Sequence, residues 1–72
     1  MSKPKKGDVV SEAFSCAGFT TYETQVIARV RGEKLWILGN ENHFDLQGNY
    51  SDNGFAGASK RLIFDGGKRA KA

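Results

Sequence analysis

Between Tyr22 and Leu46 the apolar residues fall into three short runs, broken at Gly32 and at Gly39-Asn40. Each run is of strand length, and each break carries turn chemistry. Val26, Ala28 and Val30 alternate with Ile27, Arg29 and Arg31. That period of two predicts a half-buried strand. Phe44 and Leu46 repeat the pattern, with His43 and Asp45 opposite. Leu35-Trp36-Ile37-Leu38 is apolar on both faces, which predicts a central strand or one that faces a partner. Arg31-Gly32-Glu33 predicts a tight hairpin, because glycine accepts the positive φ such turns need. The stretch reads as an antiparallel meander.

The flanks extend it. Asp8–Phe14 is a candidate first strand; a short helix capped by Ser11 is the alternative, opposed by Gly18 and the β-branched Thr20-Thr21 pair. Ser15–Thr21 reads as a loop or wide turn, and Phe19 within it as a lid over one end of the fold ahead of a binding aromatic. The second strand is predicted over Glu23–Arg31, long enough to bend and join two sheets. The third covers Lys34–Leu38, the fourth Asn42–Leu46 and the last Lys60–Phe64. Ser51-Asp52-Asn53-Gly54 is a turn, and Phe55–Ala58 suits a single 3₁₀ turn. No segment has the length and period of an ordinary helix. The predicted fold is all-β: a small, partly open SH3-like barrel of about five antiparallel strands.

Size and charge then narrow the picture. Seventy-two residues make one domain, and a chain this short buries only about 60% of its unfolded surface. The formal net charge of +3 hides a division. Lys3, Lys5 and Lys6 precede Gly7, and Lys68, Arg69 and Lys71 follow Gly67, with no acid among them. Residues 7–67 hold five basic residues against eight acids, a net −3. The expected layout is a disordered basic tail over 1–6, one β domain over 7–67 and a disordered basic tail over 68–72. The single cysteine, Cys16, and single histidine, His43, supply neither an internal disulfide nor a zinc set. No apolar run approaches the roughly 20 residues of a spanning helix, and no apolar segment follows the charged N-terminus as in a secretory signal. A cytoplasmic protein without cofactor is expected. The Asn49-Tyr50-Ser51 acceptor match is set aside on that ground.

Candidate chemistry is sparse. His43 lies on the parity opposite Phe44 and Leu46, and a His–Cys nucleophile needs a third orienting group and a pocket. Asp45, Asp52 and Asp65 lack calcium-loop spacing and read as turn and surface residues. Gly54-Phe55-Ala56-Gly57 matches a bare G-x-x-G without the helices or charge of a nucleic-acid clamp. The sequence therefore points to binding rather than catalysis. Arg29 and Arg31 share a strand face that Lys34 or Trp36 extends, which suits a single nucleic-acid strand. Against this, the body is net acidic, and the core claims most of the eight aromatics. Protein binding fits better, since Trp, Tyr and Arg anchor interfaces and an open sheet edge can accept a partner strand. Trp36 stands evenly between core packing and contact. The candidate contact set is Lys3, Lys5, Lys6, Phe19, Tyr22, Arg29, Arg31, Trp36, Lys60 and Arg61. A monomer is expected, with self-assembly as a third reading.

Residues 7–64 resemble the small SH3-like β proteins that bacteriophages encode. The resemblance rests on Val26–Leu38, on Asn42–Tyr50 with its Phe44-Asp45-x-x-Gly48 turn, and on Lys60–Phe64. The chain departs from the pattern at Gly32-Glu33-Lys34, where the family has a direct Gly-basic pair. The resemblance implies a non-enzymatic phage regulator. Its partner would be a host protein, RNA polymerase first, and its effect would be to inhibit initiation or suppress termination in the host cytoplasm. It implies no residue-level polymerase motif.

Overall fold

A computed structural model describes residues 3–52 and 58–71. The G-x-x-G match at Gly54–Gly57, and most of the 3₁₀ turn expected beside it, lie outside the described residues. Among the described residues there are five antiparallel strands: β1 (Val9–Cys16), β2 (Phe19–Arg31), β3 (Lys34–Ile37), β4 (Phe44–Asp45) and β5 (Ser59–Ile63). Their order is β4-β3-β2-β1-β5, and they wrap into the nearly closed small barrel that the sequence predicts. Val10, Ile27, Leu35, Ile37, Phe44 and Leu62 fill it, with Val30, Leu46 and Tyr50 packed against them.

The expected first loop does not exist. β1 and β2 stay paired from Val9↔Val26 out to Cys16↔Phe19. Only Ala17 and Gly18 are left to turn, and both have positive φ, 53° and 84°. Two such residues match the twist of a tight hairpin. Thr20-Thr21 prefer the strand, and the Ser15 and Thr20 hydroxyls share a hydrogen bond of 2.9 Å across it. Phe19 is consequently no lid. It stands at the hairpin tip, 78% exposed.

β2 does bend to serve two partners, pairing with β1 as far as Val26 and with β3 from Ile27. The register slips between Ile27 and Arg29, where Ala28 is the extra residue. A bulge of this kind exchanges the two faces of everything beyond it. Simple alternation puts Ile27 outward with the arginines. With the bulge, Ile27 is fully buried and Val30 still packs on the core, while Arg29 and Arg31 turn outward. On β3, Leu35 and Ile37 are buried, whereas Lys34 and Leu38 are exposed and Trp36 is half-buried.

The segment after β4 closes the barrel. The expected five-residue strand stops at two, because the Asp45 carboxylate draws the chain round. It accepts from Gln47 N at 2.8 Å, Asn49 N at 2.9 Å and Asn49 Nδ2 at 3.0 Å. Gly48, at φ 94°, then passes under β5, and any side chain there would run into the Leu62 carbonyl. Leu62 N donates to Gly48 O at 2.8 Å, and the bridges Phe44↔Tyr50 and Asn49↔Arg61 join the two ends of the sheet.

The chain after β5 crosses back over β1 to β2 as a strap ending in a 3₁₀ turn, Arg69–Lys71. Residues 68–71 do not hang free as the sequence predicts, because Asp65 pins them. It accepts from Ser11 Oγ at 2.7 Å, Gly67 N at 3.0 Å and Arg69 N at 3.0 Å. Gly67 lies against Val9 and Thr24, and Arg69 stands 5.5 Å from the Tyr22 ring centroid. Under this strap Ser11 and Ala13 are buried.

Candidate binding faces

The bulge at Ala28 and the turn at Gly32-Glu33 together build one outward face. Arg29 is opposite Trp36, and Arg31 is opposite Lys34. Directly paired residues of antiparallel strands project to the same side. The Arg29 guanidinium lies 4.0 Å from the indole centroid, within cation–π range. The His43 ring also meets the indole, with centroids 5.9 Å apart and a tilt of 56°. Leu38, two residues beyond Trp36 and just past the end of β3, is 62% exposed. The face thus has an apolar centre and three cations along one side, with a shallow concavity among Arg29, Arg31, Gly32, Glu33, Lys34 and Trp36. Trp36 is a surface residue half-covered by its neighbours and takes no part in the buried cluster.

The other expected contact residues are scattered. Lys60 lies inward of β5, with Nζ 5.3 Å from the Tyr50 ring centroid and 5.9 Å from that of Phe14. Arg61 is exposed, paired with Ala13 and bridged to Asn49. Tyr22 is on the outer side of the hairpin beside Arg69. Lys3 lines an open groove floored by Val9, Val10, Leu46 and Phe64, Lys5 N donates to the Asp8 carboxylate at 3.0 Å, and Lys6 is exposed in the turn before Gly7. Of the ten, only Arg29, Arg31 and Trp36 come together. Leu38 and His43 join them, although the sequence does not single them out as contacts. Counting parity outward from Trp36 along β3 is the signal that finds Leu38. His43, which alternation puts in water on a strand, lies just before β4 and packs on the indole.

Several of the acids have defined hydrogen-bond partners. Hydrogen bonds from Asn49, Gln47 and Gly48 hold Asp45 below the usual carboxylate pKa. The Ser11 hydroxyl, with the Arg69 and Gly67 amides, does the same for Asp65. Glu12, 7% exposed, accepts from Gln25 Nε2 at 3.4 Å. Among the described residues no three of His, Cys, Asp and Glu gather as metal ligands would, and no helix is long and apolar enough to cross a membrane. Cys16 is exposed at the hairpin tip, on a different element from His43. Comparisons with protein-family models, curated proteins and solved structures find no match.

Proposed function

We propose that this chain is a non-enzymatic binding module that covers a protein surface with the outer face of β2 and β3. The observation that carries the reading is Trp36, held half-exposed between Arg29 and His43 with Leu38 beside it. A tryptophan fixed by its neighbours loses little freedom on binding, and Trp and Arg are among the residue types enriched at interface hot spots. The cations Arg29, Arg31 and Lys34 fit an acidic rim around an apolar patch. The resemblance to phage regulators makes bacterial RNA polymerase the first partner to test. Equilibrium binding of the purified chain to purified polymerase, with and without Trp36→Ala, is the experiment. The expected loss is about 30-fold or more, the size of a hot-spot truncation. No binding removes polymerase as the partner; binding that Trp36→Ala leaves unchanged removes this face.

A second reading is favoured by the charge layout. Arg29, Arg31 and Lys34 form one cationic edge, with Glu33 in the turn beside them and Asp45 opposite Lys34. A single nucleic-acid strand tracking that edge would lose affinity steeply with salt, and Arg31→Ala would reduce the slope by about one phosphate.

A further inference from the structure

The outer half of β2 is an unusually bare strand. All six residues from Phe19 to Thr24 are exposed. They pair with β1 on one side, and β3 does not reach them on the other, since its pairing begins at Ile27. The two-residue turn makes Cys16 and Phe19 a hydrogen-bonded pair, so Phe19, Thr21, Glu23 and Gln25 direct their amides and carbonyls to β1. Thr20, Tyr22, Thr24 and Val26 direct theirs the opposite way. Leu38 N donating to Val26 O at 3.1 Å agrees with that alternation. Among the described residues nothing outside the hairpin meets the backbone groups of Thr20, Tyr22 and Thr24. An open edge of this length, rich in Thr and Tyr, is a template for another strand.

We propose that this edge pairs with the same edge of a second copy, antiparallel about a twofold axis at Tyr22. The segment is self-complementary in that register. Tyr22 meets Tyr22 of the second copy, and Thr20 meets Thr24. These are the outward-directed residues, so three pairs supply about six ladder hydrogen bonds. On the other face Thr21 meets Glu23, so neither acid lies directly opposite its twin, and Thr–Thr pairs are favourable across strands. An isologous contact of this kind closes at two copies and leaves no further edge to extend. The seam is narrow, well below a standard interface, so the dimer is weak and depends on concentration. It replaces the monomer expected from sequence. It leaves the Trp36 face uncovered and stands or falls separately from the proposed function.

Sedimentation equilibrium of the full chain across a wide concentration range tests it. The expected result is a monomer–dimer equilibrium that salt strengthens, because Arg69 of each copy and Glu23 of each copy approach their like across the seam. Tyr22→Pro removes the outward-directed amide, together with the ring beside Arg69, and should abolish dimerisation, with the β-sheet circular dichroism retained. Thr21, exposed on the same strand, carries the paired control. Thr21→Lys places a cation opposite Glu23 of the second copy and should tighten the dimer several-fold, up to about tenfold. Thr21→Glu should weaken it by a similar factor. A monomer at every concentration overturns the proposal, as does a dimer indifferent to both Thr21 variants. The opposite response at one exposed position keeps the test decisive even if Tyr22→Pro fails to fold.

Discussion

β2 passes through two environments along one continuous strand. From Ile27 to Arg31 it pairs with β3 and turns Ile27 and Val30 into the core. From Phe19 to Gln25 it pairs with β1 alone and buries almost nothing. Both halves obey the same backbone geometry, so the difference lies in what covers them. The inner half is held by apolar area removed from water, at about 25 cal/mol per Å². The outer half is held by ladder bonds and short contacts such as Ser15–Thr20, each worth about 1 kcal/mol net or less. Stability is therefore concentrated at one end of the strand, while the exposed backbone and aromatics lie at the other. In a domain this small, that leaves the hairpin arm free to open or to pair without costing the core.

The sharpest way to test that division is to remove matched aromatics. Phe44 is fully buried and stacks on Tyr50 with centroids 4.7 Å apart. Phe44→Ala should cost about 3–5 kcal/mol, a large share of the stability of a domain this small. Phe19→Ala, at the tip, should stay within about 0.5 kcal/mol. Urea titration of both variants measures the contrast, and equal losses would mean that the arm is part of the core. Gly48→Ala comes next. It forces a side chain into the left-handed region and against the Leu62 carbonyl, for a combined cost of about 2–4 kcal/mol. The same change at Gly39, where φ is also positive but the space is open, should cost only the backbone part, about 1–2 kcal/mol.

These contrasts also mark what is legible in the sequence. The strand count, the Gly32 hairpin and the Phe44-Asp45-x-x-Gly48 turn are local signals, readable because turn residues act within four positions. The outward placement of Arg29 and Arg31 is legible as alternation, but the burial of Ile27 is not. It depends on the bulge at Ala28, and the sequence there is plain Val-Ile-Ala-Arg. The hairpin tip misleads because Ser15, Cys16, Ala17 and Gly18 look like a loop by composition, although only two of them turn. The strap is out of reach altogether. Its anchor joins Ser11 to Asp65, 54 residues apart, and an Asp-Gly-Gly followed by basic residues gives no sign of what it crosses. The Trp36 face is half visible: its members all lie on predicted strands and three of them are predicted contacts, but the choice between inside and outside needs the register.

The smallest effect expected is on pH, and it separates the two turn-forming aspartates from the rest of the fold. Both Asp45 and Asp65 titrate below their ordinary value in the folded chain, Asp45 chiefly through the Asn49 amide and Asp65 chiefly through the Ser11 hydroxyl. A depressed carboxylate binds its proton more weakly when folded than when unfolded. Its contribution is therefore complete above the unfolded pKa near 3.8, and it is lost as pH falls from there through the lowered folded value. Thermal melts should be flat in this respect above about pH 5 and should decline below about pH 4. Both carboxylates lie near the surface, so added salt should blunt part of the decline. Asp65→Asn should flatten the acid limb, and at neutral pH it should loosen the strap, which hydrogen exchange at Gly67 and Arg69 would report. Asp45→Asn should flatten the same limb but increase exchange at Gln47, Asn49 and Leu62 instead. If either variant raised exchange at both sets of amides, barrel closure and strap would be a single cooperative unit, and the division between a closed body and a loosely held periphery would have to be redrawn.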